Sequence, residues 1–157
     1  MKLKTLLLLA ILGAAGYYAY GFAVTQYNQP ALAYKRYAAA LMEGDRARAK
    51  SQAVDDEALV PFQYHAQRMS RLDGEQRFVW YTFIDQRFSE DGNSVTMVVR
   101  QTVRVDPPGS DSFFGTEIRK DRHTVTLIKD QSAWKIKRFD DSATQLGHSE
   151  KVAGRQG

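Results

Sequence analysis

The chain has 157 residues, of which 43% are hydrophobic and 25% charged, proportions that exclude wholesale disorder and fit one domain with an appendage. It contains no cysteine, which excludes disulfides, thiolate zinc sites, a cysteine nucleophile and lipid attachment through an N-terminal cysteine. The net charge is +4, and setting aside Lys2 and Lys4 leaves 20 Lys+Arg against 18 Asp+Glu, too weak a bias to point to nucleic acid.

Thr5 to Val24 carry no charge. As a helix, twenty residues reach about 30 Å, the thickness of a bilayer's hydrocarbon core. Lys2 and Lys4 in front favour a cytoplasmic N-terminus and an exported C-terminal domain. One reading is a cleaved signal peptide with Leu6 to Leu12 as its apolar core. Its cleavage site would lie at Ala14-Ala15-Gly16 or Gly21-Phe22-Ala23, giving a secreted or periplasmic product. The other is a retained single-pass anchor in the inner membrane, with Tyr17, Tyr18, Tyr20 and Phe22 toward the outer interface. The apolar run exceeds the core of about 7–15 residues usual for a signal peptide, which favours the anchor. The expected division is an anchor or signal over 1–25, a domain over 26–140 and a flexible tail over 141–157.

Gln26 to Pro30 reads as a polar link, with Asn28 as N-cap and Pro30 in the first turn of a helix. Tyr34, Tyr37, Ala38 and Leu41 form the apolar stripe of that helix, and Gly44 is its natural terminator. Asp45 caps a short second helix, Arg46 to Gln52, and a third helical stretch is expected over Asp56 to Arg71.

Beyond Asp73-Gly74 the pattern turns to strands. Arg77 to Phe88 is apolar on both faces at its centre and is expected to be well covered. Glu90-Asp91-Gly92-Asn93 is a turn. Ser94 to Val105 alternates, with Val95, Met97, Val99, Val103 and Val105 on one face and Gln101 as the exception. Asp106-Pro107-Pro108-Gly109 breaks the sheet. Thr116 to Lys129 is a more polar third strand, and Ala133 to Phe139 is the last. The predicted class is α+β: two to three helices packed on a mainly antiparallel four-stranded sheet.

This layout resembles the nuclear-transport-factor-2-like superfamily. The resemblance rests on Leu41-Met42-Glu43-Gly44-Asp45 with Ala47, Ala49 and Ala53, on the run of long strands, and on Ser132-Ala133-Trp134-Lys135-Ile136. It implies a curved sheet around a cone-shaped cavity. It also implies scaffold or accessory roles, since members with one membrane span include the VirB-type component of type IV secretion and the actinobacterial Mce-associated proteins. No motif specific to either group is present.

Chemistry-bearing candidates are few. His65, on the apolar side of the third helix, can act as a general base near neutral pH if it faces the cone, with Asp85 as its partner. The plainer alternative makes His65 a core-margin residue and Asp85 a solvent-facing one. His123, in the polar segment Arg119 to His123, reads as exposed, and no second histidine at usable spacing completes a metal site. Tyr37, Tyr64, Trp80, Tyr81 and Trp134 either line an apolar pocket or fill the core. Arg100, Arg104, Arg119, Lys135 and Lys137 form a basic set that faces anionic headgroups or an acidic partner, or simply solvent. No cofactor motif is recognisable.

Three functions stay open. The first is a membrane-tethered accessory or scaffold module of the bacterial envelope that binds another envelope protein. The second is small-ligand or lipid binding in the cone. The third is a small lyase- or isomerase-type enzyme using His65 and Asp85.

Overall fold

The computed structural model describes residues 3–60, 75–106 and 117–141. In chain order the elements are α1 (Leu3–Tyr27), α2 (Gln29–Glu43), α3 (Arg46–Ser51), a 3-10 turn (Asp56–Leu59), β1 (Glu75–Phe88), β2 (Ser94–Asp106), β3 (Glu117–Asp130) and β4 (Ala133–Asp141). Of the expected third helix, only the start through Val60 is described, with its 3-10 turn at Asp56–Leu59, and Pro61 to Arg71 lie outside the described residues.

In α1 the 21 residues Leu7–Tyr27 are long and apolar enough to cross a membrane. Leu8, Ile11, Leu12, Tyr18 and Phe22 are all exposed on its surface. The expected polar link is absent, because α1 runs through Tyr27 and only Asn28 separates it from α2. Asn28 is extended, and its side-chain oxygen accepts from the Ala31 N–H at 2.9 Å, which starts the next helix.

A network of amide side chains fastens this joint to the sheet. Gln86 Nε2 donates to the Thr25 carbonyl at 2.8 Å, and Asn28 Nδ2 donates to Gln86 Oε1 at 2.6 Å. The buried Gln26 amide, oriented to satisfy both its atoms, donates to the Tyr81 carbonyl at 3.1 Å and accepts from the Phe83 N–H at 3.2 Å. Lys35 Nζ donates to the Gln26 carbonyl at 2.8 Å. Carbonyls in the last turn of a helix lack intrahelical donors, and here the domain supplies them.

Tyr34, Tyr37, Ala38 and Leu41 put the buried stripe of α2 on the inner face of the sheet. Gly44, with φ of 72°, ends α2 in the left-handed region, where its N–H reaches the Ala40 and Leu41 carbonyls. Asp45 Oδ1 accepts from Arg48 N at 2.9 Å and starts α3.

The sheet is an antiparallel meander in the order β1-β2-β3-β4 and is not closed. Val95, Met97, Val99, Gln101 and Val103 of β2 are buried on the inner face, opposite Leu127, Val125, His123, Asp121 and Arg119 of β3 in register. The free edge of β4 is covered: Val54 N donates to the Ile136 carbonyl at 2.9 Å, and Ile136 N to the Gln52 carbonyl at 2.8 Å. On β1, the Gln26 amide occupies the edge at Tyr81 and Phe83. Both devices blunt edges that would otherwise pair with another chain.

Two expectations are corrected. β1 is an edge strand among the described residues, and its Phe78, Trp80 and Ile84 are exposed, so two-faced apolarity here does not mean two-faced burial. β4 runs on through Asp140 and Asp141, because they pair in register with Thr124 and His123.

Candidate functional site

Among the described residues, two places gather chemically distinctive side chains, one on each face of the sheet.

The inner place is a buried polar cluster beneath α2. Tyr34 Oη lies 2.7 Å from His123 Nδ1. The Tyr34 ring meets Tyr81 and Phe83 edge-on at 5.5 and 5.6 Å, and the His123 ring stands against Phe139 at 4.8 Å. Asp121, Gln101 and Asp141 are buried beside them, with Asp141 the register partner of His123. Gln101 Nε2 donates to Met42 Sδ at 2.9 Å. Burial pushes the Tyr34 hydroxyl well above the usual tyrosine pKa, with Tyr81, Asp141 and Asp121 adding to the rise. Tyr34 is 0% exposed and His123 1%. A catalytic group must touch its substrate, and neither ring is open to solvent. This cluster therefore works as a polar core that fixes α2 on β3. His123, expected on an exposed stretch, is buried because it shares strand parity with Val125 and Leu127.

The outer place is built by β1, β2 and β3. Cα register sets up successive rows across the sheet: Phe78–Arg104–Ile118, Trp80–Thr102–Lys120 and Thr82–Arg100–Arg122. Below them a bulge in β1 between Phe83 and Asp85 displaces Ile84, and Asp85 pairs with Val98. Phe78, Trp80 and Ile84 are 48%, 41% and 48% exposed, an uncommon state for three large apolar side chains on one strand. Arg104 stands 5.7 Å from the Trp80 ring centre, within cation–π range. At the bulge an open cavity of about 360 Å³ is lined by Ile84, Asp85, Arg87, Thr96, Val98 and Arg122.

The sequence candidates separate accordingly. Asp85 sits on the outer face, ion-paired with Arg87 at 2.8 Å, so it belongs to the opposite side of the sheet from Tyr34 and His123. His65 and Tyr64 lie outside the described residues. Tyr37 is buried and its hydroxyl donates to the Ala58 carbonyl; Tyr81 is half-buried on the same inner face. Trp80 is on the outer face and cannot share a pocket with them. Trp134 packs at the core margin, edge-on to Phe88 at 6.2 Å. Of the basic set, Arg100 and Arg104 share the outer face with Lys120 and Arg122. Arg119 falls in the inner-face register opposite Val103. Lys135 pairs with Asp130 at 2.8 Å, and Lys137 is exposed on β4. Missed altogether was the Tyr34–His123 bond, for which inward strand parity was the available signal.

No protein-family model matches the chain, and no curated protein matches it in sequence. Solved structures do match. A Thiobacillus denitrificans domain assigned as a calcium/calmodulin-dependent protein kinase type II association domain overlaps 73% of this chain and 94% of its own at 11% identity, with a TM-score of 0.53. A Streptomyces avermitilis protein assigned as a dehydratase of the NTF2-like family overlaps 72% and 92% at 16% identity, with a TM-score of 0.49. A Shewanella frigidimarina protein assigned as a ketosteroid isomerase overlaps 73% and 95% at 14% identity, with a TM-score of 0.48. The helices-then-meander order and the overlap with the Thiobacillus domain together show an α+β fold shared with that domain.

Proposed function

We propose that this chain is a membrane-tethered accessory module whose outer sheet face binds another protein of the cell envelope. The observation that carries the reading is the exposed row Phe78, Trp80 and Ile84 on β1, continuous with the cations of β2 and β3. Exposed apolar patches rimmed by polar groups are contact sites, and aromatics with Arg are the side chains enriched there. The tether is α1, with Lys2 and Lys4 setting the N-terminus in the cytoplasm and the domain on the far side. The burial of Tyr34 and His123 away from solvent argues against chemistry at the inner cluster.

The test uses the full-length protein in its own membrane, with a photo-crosslinking residue at Thr82, in the row between Trp80 and the bulge. A discrete protein adduct is expected from position 82, none from exposed Arg46, and a loss of the adduct in Trp80→Ala and Ile84→Ser. No adduct from position 82 would sink the reading.

A further inference from the structure

We infer that the hairpin end of the sheet rests in the headgroup layer of the bilayer, with the rings of Phe88 and Trp134 as an aromatic seat on a phospholipid surface. This rests on the membrane tether of the reading above and is independent of the protein partner.

The joint sets the height of the domain. Leu7 to Val24 are exposed along α1, and the domain grips the helix at its last turn. The 21 apolar residues Leu7–Tyr27 reach about 31 Å as a helix, so a bilayer centred on them ends its hydrocarbon core near Tyr27. A headgroup layer of about 5–7 Å follows. Gln86, bonded to the Thr25 carbonyl at 2.8 Å, stands at that boundary. Asn28 meets Gln86 while Tyr34 meets Tyr81 and Phe83, so α2 runs up the sheet and away from the β1–β2 hairpin. The end of the sheet nearest the lipid is therefore the hairpin end, and Phe88 lies two residues beyond Gln86, about 7 Å along the strand.

The side chains at this end suit that layer. Phe88 is exposed and stands edge-on to Trp134 at 6.2 Å, while Trp134 keeps part of its ring against the core. Such rings are favoured where hydrocarbon meets headgroups. Lys35 marks the same level: its Nζ lies 4.5 Å over the Tyr27 ring and bonds the Gln26 carbonyl, its stem running along apolar surface as in a snorkelling lysine. The β1–β2 and β3–β4 turns are joined at this end by the Lys129 N–H on the Asn93 carbonyl at 2.8 Å. They bring Glu90, Asp91 and Asp130 against Lys129 and Lys135, so no cationic field draws this end to anionic lipid. The rings carry the contact. Trp80 lies six positions before Gln86, roughly 20 Å up the strand and beyond the headgroups.

The experiment uses the two tryptophans of the chain as depth gauges. The full chain is placed in phosphatidylcholine nanodiscs whose lipids carry a nitroxide quencher, on the headgroup in one set and at mid-chain in another. Trp80→Phe leaves Trp134 as the reporter, and Trp134→Phe leaves Trp80. Headgroup nitroxide is expected to quench Trp134 at least about twofold more than Trp80. Phe88→Trp, made with both native tryptophans changed to Phe, should match Trp134. Raised salt, or phosphatidylglycerol in place of phosphatidylcholine, should leave this quenching unchanged. Tyr20→Trp in the same background reads the tether, and mid-chain nitroxide should quench it. Equal quenching of Trp134 and Trp80, with Tyr20→Trp quenched, overturns the seat and leaves the tether standing. Quenching of Trp134 that requires phosphatidylglycerol or is lost in salt overturns the aromatic basis. An unquenched Tyr20→Trp overturns the tether and the seat together.

Discussion

The Tyr34 hydroxyl on α2 and Nδ1 of His123 on β3 meet at 2.7 Å although 89 residues separate them in the chain. Both side chains are buried, so the bond closes where water cannot replace it. Tyr34→Phe keeps the ring contacts and strips one partner from the imidazole. It is expected to cost about 1–3 kcal/mol, the range for a buried polar group that loses its bond. Thermal unfolding of the full chain in detergent reads this directly. An unchanged melting temperature would mean that the bond contributes nothing.

Alkali should unfold this protein through its tyrosines. Burial raises Tyr34 and Tyr37, and burial with the Glu43 charge raises Tyr81 to about 12. In the unfolded chain these groups ionise near pH 10. Below that pH both states hold the protons and the stability is fully present. As pH rises past it the unfolded state releases protons first, so stability falls, through about 12 for Tyr81. Tyrosinate absorbance from these three is expected to appear together with the loss of helical circular dichroism. Ionisation of all three in a still-folded chain would contradict the burial.

Gly44 has open space around the site of a Cβ, so only its backbone angle matters. At φ of 72°, Gly44→Ala is expected to cost about 1 kcal/mol through strain alone. Gly44→Asn, which tolerates that region better, should lose less. Equal melting temperatures for the alanine and asparagine variants would rule out this account.

Gln86→Ala removes both bonds by which β1 holds Thr25 and Asn28. A loss of about 1–2 kcal/mol is expected, at the scale of part-buried hydrogen bonds. A spin-label pair on α1 and the exposed Arg100 position of β2 gives a second readout. Its distance distribution should broaden in the variant, and an equally narrow distribution would show that the joint is rigid without Gln86.

What the sequence made legible was mostly local. Asn28, Gly44 and Asp45 act as caps because capping is decided within one turn. The alternation of β2, with Gln101 as its break, follows from a sheet with one buried face. The face of β1 was misread for the opposite reason. Its apolar residues on both sides suggest cover, but cover depends on what lies across the sheet, and no local pattern carries that. The charges of Lys120 and Arg122 at the even positions of β3 hid the inward parity of Asp121 and His123. Asp141 fell just past the expected strand end, so its place beside His123 needed the register.

The single residue between α1 and α2 changes how the domain would search for anything beside a membrane. A flexible linker would let it sweep a hemisphere, diluting its binding face over that volume. Asn28 and the amides of Gln26 and Gln86 leave no such linker. The outer face of β1 would point along one bearing at one height above the lipid. Rotation of α1 about its own axis then becomes the means of aiming it, and encounter with a partner in the same membrane reduces to a search in two dimensions.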